Sequence, residues 1–295
     1  MAAFEPRPEL ARCLDSLARQ QSREALETIV ADGTGEIARS MAAKYPAVRF
    51  LHFAQACGKP QLLSRAMEQA CGSIVAVTEP YCCFPADWVE KLCCAHQSEF
   101  AVIGGAVEYD GAETLAGWAC YLADYGAFML PAERRVTALL AGNHISYKRI
   151  LLAGASDLWS EGYFKIFLLR DLERRGCRFL FEPELVITYA SAPKWREFAR
   201  QYYRNGSEFA ATRTRHFSRA ARLAHIVTTP ALPLLLLFRR MRAVWGKRRN
   251  RGQLVRSIPL LALFVLCWSA GEFRGYLWGA AYFTHSWRIA EKGRD

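Results

Sequence analysis

Glu79 closes a short apolar run, Ile74-Val75-Ala76-Val77, within the stretch Gly72 to Trp88, GSIVAVTEPYCCFPADW. Pro80 and Pro85 then turn the chain into a helical stretch beginning near Asp87. In an open α/β sheet, ligands sit outside the carboxyl ends of the strands, so an acid at such an end is a candidate for metal or phosphate chemistry. Asp32 repeats the pattern: Glu27 to Ala31 (ETIVA) reads as a strand, and Asp32-Gly33-Thr34-Gly35 turns out of it. A ligand is one role for Asp32; the other is a turn residue whose carboxylate bonds the backbone that follows. His144, in the broken apolar run LLAGNHISY, can face a substrate or sit as a structural histidine in a turn. Trp88, Trp118 and Trp159 can stack on a ring or pack in the core. The adjacent pairs Cys82-Cys83 and Cys93-Cys94 lack the spacing of a zinc site, so the ten cysteines read as reduced thiols.

The elements that must hold these residues alternate. Helices are expected over Pro6–Gln20, Glu36–Lys44, Gln61–Ala70, 87–97, Leu115–Phe128 and Gly162–Arg175, the last closed by Gly176. Strands are expected at Glu27–Ala31, Val48–Phe53, Ile74–Val77, Phe100–Ile103 (stopping at Gly104-Gly105), Phe179–Phe181 and Leu185–Tyr189. Strands and helices in this rhythm argue for an α/β fold with a mostly parallel, covered sheet. Met1 to Leu10 has no apolar core and predicts no signal peptide.

The second part of the chain differs in charge. The protein carries a formal net charge of +11 over 295 residues, and residues 194–295 hold 20 Lys/Arg against 5 Asp/Glu, leaving the rest slightly acidic. Trp195 to Arg222 reads as one cationic, aromatic-bearing helix. Two apolar segments follow. Ile226–Phe238 is short of a span and carries two prolines, which suits a re-entrant or interfacial element, with an ordinary span as the alternative. Ile258–Phe283 is long enough to span but contains Glu272 and Arg274. A basic loop, 239–256, is expected between them and on the cytoplasmic side. This order favours an anionic membrane surface over nucleic acid as the partner of the basic part.

The ordered series of motifs resembles the inverting family 2 glycosyltransferases over roughly residues 6 to 215. The resemblance implies a GT-A (nucleotide-diphospho-sugar transferase, Rossmann-like) domain at 1–193, a cationic interface helix at 194–222 and a membrane hairpin or anchor at 223–295. Asp32 in TIVADGTGE looks like the acid that contacts the nucleotide base, and Arg65 in LLSRAMEQACGSIVAV sits in the family's Ala-Arg-Asn segment. Glu79 falls on the metal-binding DxD motif, implying Mg²⁺ or Mn²⁺ on the donor diphosphate. Gly142 and Asn143, with His144 beside them, are similar to an acceptor-side element, and Gln201 and Arg204 in RQYYRNG to the Gln-x-x-Arg helix of membrane-associated members. By the same likeness Glu161 is the general base, with Asp157 as runner-up. Acids at those positions can equally stabilise the following helix dipole.

The chain departs from the pattern in three places. The family's first strand has no expected counterpart, Pro80 and Tyr81 stand where further acids or a histidine belong, and Lys165 is near the usual base position. The expected activity is transfer of a sugar from a nucleotide-diphosphate sugar to a lipid-linked or polysaccharide acceptor, with the catalytic domain cytoplasmic. The alternative is a catalytically degenerate relative that binds nucleotide or glycan as an assembly partner.

Overall fold

Glycine and proline punctuate the first third of the chain, and the elements break where they stand. The structure, a computed structural model, describes residues 1–4, 7–53, 58–159, 163, 165–191, 193–214 and 217–279. It divides into two compact units, Met1–Asp110 with Phe128–Ser191, and Gly111–Ala127 with Ala192–Asp295.

In the first unit, Pro8 opens α1 (Pro8–Ala18), whose Leu10, Cys13, Leu14 and Leu17 are buried along one face. The strands β2 (Thr28–Asp32) and β3 (Val48–His52) pair in parallel, with α2 (Glu36–Met41) between them in sequence and α3 (Lys59–Glu68) after them. The residues before α1 do carry a strand, contrary to expectation. Ala2–Ala3 form β1, parallel to β2, with Ala2 opposite Ala31 and Ala3 opposite Asp32. Two alanines suffice because both are buried and their neighbouring carbonyls accept Ala31 N–H (2.9 Å) and Gly33 N–H (2.9 Å). Upstream of that pairing a cavity of about 460 Å³ lies between the start of β2 and β4 (Ile74–Thr78), lined by Ile29, Leu63, Met67, Val75 and Trp88 among others.

The second sheet is mixed rather than mostly parallel. Its order is β4, β8 (His144–Lys148), β6 (Val102–Tyr109), β9 (Phe179–Tyr189), β5 (Cys82–Cys83), with β7 (Arg135–Val136) also on β9. Only β6 and β9 run parallel; β8 pairs antiparallel to both β4 and β6. Two expected strand ends were wrong for one reason. β6 does not stop at Gly104-Gly105, and β9 is continuous, but its register jumps from Gly105↔Glu182 to Ala106↔Val186. A Cβ on Gly105 would overlap the Leu185 carbonyl and lie 2.6 Å from the Leu185 Cβ, so the glycine admits the bulge instead of ending the strand. The helices α4 (Trp88–His96), α6 (Arg149–Ala153) and α7 (Lys165–Arg174) complete the unit, and α7 ends in Gly176 at φ +85°, where the Cys177 N–H bonds the Leu172 carbonyl.

The second unit is helical. α5 (Leu115–Asp124) is buried at every position from Gly117 to Ala123, so it needs partners on all sides and packs with the later helices although it lies inside the expected 1–193 domain. The expected single helix from Trp195 to Arg222 is two, α8 (Trp195–Thr214) and α9 (Arg219–Thr228), the second capped by the Ser218 hydroxyl. A 3₁₀ turn at Thr229–Ala231 joins α9 to α10 (Leu232–Gly246), and α11 (Arg251–Trp278) follows. The basic stretch 239–256 is therefore mostly helix; only 247–250 connects α10 to α11. Arg219–Gly246 and Arg251–Trp278 are each 28 residues, long and apolar enough to cross a membrane by length and composition. Prolines 230 and 233 do not shorten the first segment, because each stands where a helical segment starts and its missing N–H has no partner to lose.

Candidate functional site

Antiparallel pairing of β4 with β8 sets Thr78 opposite His144, which brings Glu79, at the carboxyl end of β4, beside Asn143 and His144 at the start of β8. Glu79 is buried, and its Oε1 lies 2.6 Å from the Lys59 ammonium in the first turn of α3. Its carbonyl accepts the Cys82 N–H at 3.1 Å, closing the Glu79–Cys82 turn. Asn143 donates Nδ2 to the Cys82 sulfur at 3.4 Å, while its buried Oδ1 has no hydrogen-bond partner among the described residues. Burial pushes the Cys82 thiol up to about 12, so it is a neutral packing group there.

Tyr163 joins the same neighbourhood. It is buried, its N–H bonds the Pro60 carbonyl next to Lys59, and its hydroxyl meets that of Tyr147 at 2.9 Å. Lys59 and Tyr163 were both missed in the sequence. Gly58-Lys59 reads only as a turn past the strand expected at Val48–Phe53, and a tyrosine carries no spacing signal. Lys165 donates to the Leu140 carbonyl at 2.6 Å and runs alongside Gly142.

Asp32 does what its turn reading requires. It is fully buried; Oδ1 accepts the Thr34 and Gly35 N–H groups (2.9 and 2.8 Å) and the Thr34 hydroxyl, and Oδ2 accepts the Ala38 N–H at 2.9 Å. Although burial works to raise its pKa, these donors together hold the carboxyl below the usual aspartate value. Asp32→Ala would strip partners from three backbone N–H groups around α2, and we expect a loss of about 2–3 kcal/mol of stability, read as a drop in thermal midpoint. Asp32→Asn, which keeps one acceptor oxygen, should recover part of it.

The other candidates have partners or surroundings of their own. The His144 ring is fully engaged: Nε2 accepts the Trp88 indole N–H at 3.0 Å and Nδ1–H donates to the Ala106 carbonyl at 3.1 Å. The ring is buried, as suits the structural-histidine alternative. The tryptophans likewise bond inside the protein, Trp118 to Glu113 and Trp159 to the Leu152 carbonyl, and all three are buried. Arg65 lies over the Phe53 ring at 5.1 Å. Asp157 is exposed and ion-paired with Arg175 at 2.9 Å. Glu161 lies outside the described residues. Gln201 and Arg204 are exposed on α8, in the second unit.

A model of the family named Glycosyl transferase family 2 matches residues 1–152, more than half of the chain. The chain belongs to glycosyl transferase family 2. Its fold is GT-A, shared with solved glycosyltransferases at low identity. Mannosyltransferase PcManGT from Pyrobaculum calidifontis, in complex with GDP-Man and Mn²⁺, is 18% identical, with a TM-score of 0.54 over 95% of this chain and 84% of that one. GalNAc-T7 with UDP, GalNAc and Mn²⁺ is 12% identical, with a TM-score of 0.52 over 65% of this chain and 42% of that one. S. aureus TarS 1-349 is 12% identical, with a TM-score of 0.50 over 92% of this chain and 90% of that one. No curated protein matches the sequence.

Proposed function

We propose that this family 2 protein is an inverting hexosyltransferase that moves a sugar from a nucleotide-diphosphate donor to a lipid-linked or polysaccharide acceptor at the cytoplasmic membrane face. One observation carries the reading: in a GT-A fold, the carboxyl end of β4 holds a buried carboxylate with a cation on it, beside an asparagine whose oxygen has no partner among the described residues. Departure of a nucleoside diphosphate leaves negative charge that a positioned cation must stabilise. Residues 1–193 would form the transferase domain. The cationic part, 194–222, and the segment 223–295 would hold it at an anionic membrane, as suits the largely exposed apolar helix Arg219–Gly246 with Leu223, Val227, Leu234 and Phe238 on its surface. Glu161 would be the general base, with Asp157, whose exposed carboxylate pairs with Arg175, as runner-up.

A divalent metal is a poor fit for these residues. One carboxylate with the donor's phosphates can hold Mg²⁺, but Glu79 already carries the Lys59 ammonium at 2.6 Å, and Pro80 and Tyr81 add no second carboxylate to compete for a metal. The degenerate, donor-binding reading remains the second proposal, favoured by Asp32 acting as a cap and Asp157 as a surface ion pair.

Full-length protein in detergent, given a panel of nucleotide sugars and lipid acceptors, should release nucleoside diphosphate with transfer. Glu161→Ala should lower the rate by roughly 100-fold or more, as expected for a lost general base, with Asp157→Ala near wild type. Binding of donor without any turnover would favour the assembly partner. Membranes washed in high salt should retain the protein; complete release would mean that charge alone, which salt screens, holds it there.

A further inference from the structure

We infer that Lys59 replaces the metal: its ammonium, oriented by Glu79, is the cation that receives the donor diphosphate. The inference rests on the donor-binding reading above and sharpens it. The Glu79 side chain is 10% exposed and that of Lys59 is 38% exposed, so the acid is the buried anchor and the ammonium the part open to a ligand. An ammonium has three N–H donors. Glu79 takes one at 2.6 Å, leaving donors for phosphate oxygens, and lysine serves phosphate as a point charge. Position agrees, because the pair stands just past the end of β4 and phosphates bind outside the carboxyl ends of strands. Tyr163, whose N–H bonds the Pro60 carbonyl, fixes the backbone next to Lys59. Pairing with Lys59 also explains why a lone buried acid persists at this position without further acids: its charge already has a partner.

The two cation assignments predict opposite responses to one substitution. If Lys59 is the phosphate cation, UDP or GDP binds the full-length protein equally in EDTA and in Mn²⁺, and Lys59→Gln weakens binding by about 10-fold or more in both. Lys59→Arg, which keeps the charge, should stay within a few-fold. If Glu79 is instead a metal ligand, Lys59→Gln removes a competing cation, so Mn²⁺ binding and Mn²⁺-dependent nucleotide binding both strengthen. Calorimetry with UDP, GDP and Mn²⁺ alone distinguishes them. Should Lys59→Gln fail to fold, the double variant Lys59→Gln/Glu79→Gln, which leaves no unpaired buried charge, should show the same loss of about 10-fold or more in nucleotide binding. Nucleotide binding that needs Mn²⁺ and vanishes in EDTA overturns the Lys59 assignment while leaving the donor reading intact. No binding of either nucleotide in any condition overturns both.

Discussion

Gly271→Val is expected to separate α8 from α11 and to cost about 3 kcal/mol or more, because the obstacle is backbone and cannot rotate away. A Cβ on Gly271 would overlap the Tyr203 carbonyl oxygen and lie 2.9 Å from the Ser207 nitrogen. One turn later, a Cβ on Gly275 would lie 2.7 Å from the Ala210 Cβ; on the facing helix, one on Gly206 would lie 3.0 Å from the Trp268 carbonyl carbon. Gly271 and Gly275 thus form a small-residue seam of the kind that lets two helices approach in a membrane or a tight bundle. Around it the Phe198 and Tyr202 rings pack tilted against Phe264, with centroids 4.7 and 5.7 Å away, and Ser207 donates to the Gly271 carbonyl at 3.0 Å. Gly252, near the start of the same helix, has nothing within 4 Å of a built Cβ, so Gly252→Ala should be neutral or gain up to about 1 kcal/mol of helix propensity. Thermal unfolding in detergent reads both. Equal behaviour of the two variants would mean that the seam does not hold the helices together.

That seam shows why the sequence was partly legible. Trp195–Thr214 was identifiable as a helix from its composition, but read alone its cationic, aromatic surface resembles a membrane-surface helix. One face of it packs on α11, a pairing set by Gly271 and Gly275, which carry no local signal in the helix itself. The same limit applies at the first unit. β2, β3 and β4 were legible because short segments rich in β-branched and apolar residues stand between turn residues, and Asp32 and Glu79 fell at strand ends as expected. β1 escaped because two alanines are too short a pattern, and their strand character comes from the β2 edge they complete. Lys59 escaped because its meaning is relational: a lysine after a glycine is unremarkable until α3 brings it to Glu79. His144 is the opposite case: its chemistry-bearing type suggests a site, and its two nitrogens bond Trp88 and the Ala106 carbonyl.

Two buried histidines make the first unit sensitive to mild acid. Burial pushes the pKa of His144 down to about 4, and burial reinforced by the nearby Lys148 does the same to His96. The hydrogen bonds show why each is neutral. His144 Nε2 accepts from Trp88, so a proton there would point at the indole N–H. Ser146 donates its hydroxyl to the Ile103 carbonyl at 2.9 Å, so its oxygen accepts from His96 Nε2–H at 2.8 Å, and the remaining His96 nitrogen, Nδ1, is buried without a partner for an added proton. Both pKa values are lowered on folding from about 6.5, so the unfolded chain takes up these protons first as pH falls. Their stabilisation is complete above pH 6.5, is lost progressively between 6.5 and 4, and falls no further below that. The drop from 6.5 to about 4 corresponds to on the order of 3 kcal/mol for each histidine. We therefore expect urea midpoints, followed by tryptophan fluorescence, to fall steeply across this window. His96→Gln and His144→Gln should each remove about half of the slope, even where the substitution lowers stability at pH 7. Ring titrations by NMR should place both midpoints below 5; a midpoint near 6.5 for either would mean that its ring is solvated and that β8 is not sealed at that end.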